Sequence, residues 1–84
     1  MPKKKPIKII NRKLGREGAA GQAWKEDRVI ELDPRQSGKD YLDTLIHEVL
    51  HVQNPKWNEI TVMGRSKELA EILWNEGYRW VELE

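Results

Sequence analysis

Apolar positions along the second half of this chain recur at helical spacing. From about Lys39 to Gln53, the residues Leu42, Leu45, Ile46, Val49, Leu50 and Gln53 sweep one broad face, which predicts an amphipathic helix. Ser37 or Asp40 can accept from free amides at its start, and Asn54-Pro55 stops it. A second helix is expected from Lys56 or Trp57 to Asn75, with Gly77 as its left-handed cap. With Glu59 set at zero and about 100° added per residue, Val62, Met63, Ser66, Leu69, Ala70 and Leu73 fall on its side of that helix. Glu68 and Glu71 fall on the far side.

The first half reads as short extended segments. Pro6 to Asn11 (PIKIIN) is β-branched and bounded by proline, which predicts a strand. Leu14 to Gly21 (LGREGAAG) has three glycines and predicts a loop. Gln22 to Lys25 and Arg28 to Leu32 predict a hairpin around Glu26-Asp27, with Ile30 and Leu32 facing inward and Asp33-Pro34 ending the second strand. The alternating tail Tyr78 to Leu83 is expected as a last short strand or a packing segment. These elements predict an α+β fold: a small twisted antiparallel or mixed sheet of about three strands packed on two antiparallel helices. At 84 residues the chain is expected to be one domain, 1–84, with 1–5 a flexible basic tail.

A polar stripe of Asp40, Asp43, Thr44, His47 and His51 borders the broad face of the first helix. The chain has two histidines, and both lie in His47-Glu48-Val49-Leu50-His51, four apart and therefore one turn apart on one side of a helix. The break after Gln53 is so short that the second helix must fold back antiparallel, which brings Glu59 to the level of His51. A carboxylate on an apolar face is costly unless it is paired or bound to a metal, so Glu59 is the leading third ligand. Helix capping is the competing role for Glu59, and Glu68 or Glu71 are the alternative ligands. Asp43, one turn before His47, suits an outer partner that orients an imidazole or a plain solvated carboxylate, ahead of a ligand itself.

Composition narrows the chemistry. There is no cysteine, so any metal ligands must come from His, Asp or Glu. Net charge is +1 with 35% charged residues of both signs, which argues against a dedicated nucleic-acid binder despite the run Lys3-Lys4-Lys5 and nearby Lys8. No apolar run approaches the roughly 18 residues of a membrane span, and the amino terminus lacks the apolar core of a secretory signal. A soluble, cytoplasmic monomer is expected.

Two imidazoles and one carboxylate leave a fourth Zn²⁺ position for water, the pattern of a catalytic zinc. Glu48 leaves the helix about 100° from His47 and can serve as general base for peptide hydrolysis. The run LDTLIHEVLH, preceded by a strand ending in ELDP and followed after a short break by a Glu-bearing helix, resembles the zincin metallopeptidases. Within them it most resembles the minimal gluzincin-type enzymes and the small phage or bacterial SprT-like proteins, over roughly Val29 to Trp74. The resemblance implies His47, His51 and Glu59 as zinc ligands, Glu48 as catalyst and a polypeptide substrate. It departs at Met63, where larger gluzincins carry an acidic residue, and in lacking the cysteine-bearing zinc segment of full SprT proteins. The strand Arg28 to Leu32 is the candidate edge for an extended substrate. A non-catalytic or regulatory module that keeps the metal site is the alternative function, and a nucleic-acid-associated adaptor a third that the charge disfavours.

Overall fold

The computed structural model describes residues 5–15 and 19–81, and lysines 3 and 4 of the basic run lie outside them. Three strands and two helices follow in the order β1 (Lys8–Asn11), β2 (Gly21–Trp24), β3 (Val29–Leu32), α1 (Gly38–Gln53) and α2 (Glu59–Asn75). The result is an α+β fold with a mixed three-stranded sheet.

The strand order is β1-β3-β2, so β3 is central. It pairs parallel with β1, Ile9 opposite Ile30, and antiparallel with β2, Ala23 opposite Ile30. This overturns the expectation that Arg28 to Leu32 offers an edge to a substrate. Both sides of β3 are already hydrogen-bonded, and the open edges belong to β1 and β2. The hairpin itself is as expected. Arg28 turns it with a left-handed φ of 55°, and its side chain donates to the Lys5 carbonyl at 2.7 Å while its own carbonyl accepts from the Lys8 amide at 2.9 Å. One residue thus ties the turn to the strand that follows residue 7.

Ile30 and Leu32 are fully buried and pack with Tyr41 and Val52, flanked by Ile7, Ala23, Leu45 and Val49. Burial on α1 departs from the predicted broad face: Tyr41 and Val52 are its buried residues, Gln53 is exposed, and every position from 42 to 51 is half-buried. The cause is that α1 is the central element, covered by β2 and β3 on one side and by α2 on another. Its apolar surface is therefore wider than a single stripe. Gly21 lets β2 approach α1 closely, since a Cβ there would lie 2.6 Å from Thr44 Cγ2.

On α2 the converse holds. Among the described residues it packs against α1 and against no strand, so its buried positions narrow to Val62, Ser66 and Ala70, while Met63 and Leu69, predicted on the inner side, are 45% and 40% exposed. Gly77 caps it at φ 93°, with the Gly77 amide donating to Trp74 and the Tyr78 amide to Leu73, a Schellman closure. Residues 78–81 form no strand; Trp80 instead meets Tyr41 edge-on at 4.5 Å. The remainder of the tail, 82–84, lies outside the described residues.

The loop after β1 carries a core residue that its glycine content concealed. Leu14 is fully buried, and its amide donates to Asp33 Oδ2 at 3.0 Å. Asp33 also accepts from the Arg35 amide at 2.9 Å and from the Arg35 guanidinium at 3.0 and 2.6 Å. These hydrogen bonds hold its carboxyl far below the usual carboxylate range.

Candidate metal centre

The site forms where α1 ends and α2 begins. Ser37 caps α1 by accepting from the Asp40 amide, and Asn54 closes it by donating its amide to Leu50. The connection, residues 54–58, is tightened by the Trp57 amide donating to Asn54, and Asn58 caps α2 by accepting from the Thr61 amide at 2.8 Å. Asn58 performs the capping that was the competing role for Glu59. Glu59 is the first residue of the helix, where the dipole favours a carboxylate, and His51 lies in the last turn of α1, where it favours a cation.

Three lengthwise pairings establish that the helices are antiparallel: Lys39 with Glu71, His47 with Ser66, and His51 with Glu59. The fold-back brings Glu59 to both imidazoles. Its Oε1 is 2.6 Å from His47 Nε2 and its Oε2 is 2.9 Å from His51 Nε2, with the rings 4.9 Å apart. Ligand-type atoms of the three residues all lie within 4.8 Å of one another, and this is a group that could hold a metal ion. The donor set suits one. Two imidazole nitrogens and a carboxylate converge on one point, and all three are metal-ligating groups.

Burial differs among the three. The histidine side chains are 19% and 13% exposed, whereas that of Glu59 is 59% exposed. Helical phase predicts Glu59 on an apolar face that would penalise it; the structure instead leaves it at the rim, exposed on one side and against the imidazoles on the other. Glu71 is far from the cluster, in an ion pair with Lys39 at 2.9 Å, and Glu68 is exposed on the outer side of α2. Among the described residues, neither these nor Asp43 joins the ligand group.

Asp43 and Glu48 do share a cavity of about 320 Å³ with His47, running from Gly21 on β2 to Ser66 and Lys67 on α2. Burial raises the Glu48 carboxyl above its ordinary pKa and nearby Glu59 adds to this, while His47 and His51 oppose it. A more apolar cavity of about 360 Å³ lies along α1 against Tyr78 and Trp80 and holds none of these groups. Ser66 is the residue of this region that the sequence reading did not single out for chemistry. It is fully buried and faces His47 Nδ1 at 3.5 Å. Its place two turns after Glu59 on the same side of α2 was the available signal.

No protein-family model, no curated protein and no solved structure matches the chain. No helix among the described residues is long and apolar enough to cross a membrane.

Proposed function

We propose that this protein is a zinc-dependent metallopeptidase, in line with the zincin resemblance of its HEVLH segment. The observation that carries the reading is the convergence of His47, His51 and Glu59 within 4.8 Å beside the half-buried Glu48. His47, His51 and Glu59 would hold the ion. When bound, zinc supplies Lewis acidity, lowering the pKa of a coordinated water and polarising a carbonyl. Glu48 accepts the proton of the attacking water and returns it to the departing amine, a task suited to a carboxylate whose basicity burial has raised.

The open edge of β2 takes the substrate role first expected of β3. The Asp33 amide donates to Ala20, so with the observed register Gln22 and Trp24 point their main-chain groups at β3, while Gly21 and Ala23 point theirs outward. Gly21 also lines the cavity that holds His47 and Glu48. An extended polypeptide pairing with Gly21 and Ala23 would pass that cavity with its carbonyls in a fixed register.

The test compares cleavage of an unstructured protein by wild type and Glu48→Gln, both zinc-loaded. Both should bind about one zinc per chain, and the variant should lose hydrolysis by roughly 10²-fold or more. A wild type that binds zinc but cleaves nothing would make the chain a metal-holding binding module.

A further inference from the structure

Among the two imidazoles, only one has a side-chain partner on its second nitrogen. His47 Nδ1 lies 3.5 Å from Ser66 Oγ, whereas His51 Nδ1 is buried with no hydrogen-bond partner among the described residues. Ser66 also approaches the Met63 carbonyl at 3.1 Å. A carbonyl can only accept, so the single hydroxyl proton of Ser66 is committed to Met63. What Ser66 then offers His47 is a lone pair.

We infer that Ser66 is the positioning residue of the metal centre: its buried hydroxyl accepts the Nδ1–H of His47 and so turns the Nε2 lone pair of that ring towards the ion. The inference rests on the metal reading proposed above. Three features support it. Ser66 is fully buried, so water does not compete for the contact. It is held on the same side of α2 as Glu59, two turns on, so one rigid helix supplies both a ligand and the group that aims another ligand. And His47 Nε2 and Glu59 Oε1 converge at 2.6 Å on the side where the ion would sit, so with a proton held on Nδ1 it is Nε2 that would bind the ion once the ion replaces the proton of that contact. Asp43, for which an outer-partner role stood beside that of a solvated carboxylate, lines the adjoining cavity, and it is Ser66 that stands within reach of an imidazole nitrogen. His51 has no equivalent support, so the two histidines should respond differently to loss of the hydroxyl.

The experiment titrates Zn²⁺ into the full chain as wild type, Ser66→Ala and Ser66→Thr, with the melting temperature of each metal-free form recorded alongside. Ser66→Ala should weaken zinc about 10-fold, the scale of lost outer-shell partners, and Ser66→Thr, which keeps the hydroxyl, should recover most of that. In the zinc-loaded protein, the Nδ1–H signal of His47 should shift and exchange faster with water in Ser66→Ala, while that of His51 stays in place. A purely structural serine would lower the metal-free melting temperature and leave affinity and the His47 signal unmoved, which would overturn the inference. Equal zinc affinity in wild type and Ser66→Ala overturns it alone; a wild type that binds no zinc overturns the metal reading as well.

Discussion

Asp33 and Glu59 are both carboxylates at the end of an element, and they have opposite surroundings. Asp33 is 8% exposed and all its neighbours are donors: two backbone amides and the Arg35 guanidinium. Glu59 is exposed on its outer side, and its inner neighbours are two imidazole nitrogens at 2.6 and 2.9 Å, whose hydrogen-bonding role depends on the tautomer. A carboxylate surrounded by donors has its charge satisfied by the protein and serves the fold. One that converges with two metal-ligating nitrogens at the protein surface is placed to take an external cation as well. Arg35 completes the first; an ion would complete the second.

The largest separation between the two is expected in metal binding. His47→Ala or His51→Ala should abolish most of a stoichiometry of about one zinc per chain, whereas Asp33→Ala should leave it near one in whatever fraction folds. Equilibrium dialysis with metal analysis reads this directly, and a wild-type-like stoichiometry in either histidine variant would break the comparison.

Stability should reverse the order. Asp33→Ala leaves the buried Leu14 amide without its acceptor and should lower the melting temperature of the metal-free protein by at least about 5 °C. Glu59→Ala should change it little without metal and should shrink the rise that zinc produces. Melting curves of both variants with and without zinc decide the point.

Acid titration sharpens the comparison further. The folded pKa of Asp33 is depressed below its unfolded value, so its contribution is fully present above about pH 4 and fades as pH falls through the folded value. Glu31, lowered chiefly by its hydrogen bond to Arg12, and Glu71, lowered chiefly by Lys39, act in the same direction. Asp33→Asn should therefore flatten the acid limb of stability against pH. A limb as steep as that of wild type would assign the acid sensitivity to other groups.

The smallest effects belong to the exposed carboxylates of α2 away from the histidines. Glu68→Ala and Glu71→Ala should leave zinc affinity unchanged and move the melting temperature by no more than a few degrees, because exposed ion pairs such as Lys39 with Glu71 contribute little. Loss of metal in either would mean that the ligand lies elsewhere on that helix.

The chain's own sequence determined what depends on neighbours along the backbone. The i, i+4 spacing of His47 and His51, the cap at Gly77, the stop at Asn54-Pro55 and the inward faces of Ile30 and Leu32 are all local, and each was legible, while the structure chose Ser37 over Asp40 as the cap of α1. Glu59 was legible as well, because a connection too short to do otherwise folds one helix back on the other. Tertiary structure decided what depends on residues distant in sequence. Period-two alternation is the same in a central and an edge strand, so only the β1-β3-β2 order revealed that β3 is covered and β2 is open. A glycine-rich loop gives no periodic signal, so the burial of Leu14 depended on Asp33 nineteen positions away. The burial of α1 spread round its surface because two layers meet on it, and Ser66 gained its imidazole only when α2 closed on α1. Periodicity records which side of an element seeks cover; what covers it is set by contacts across the fold.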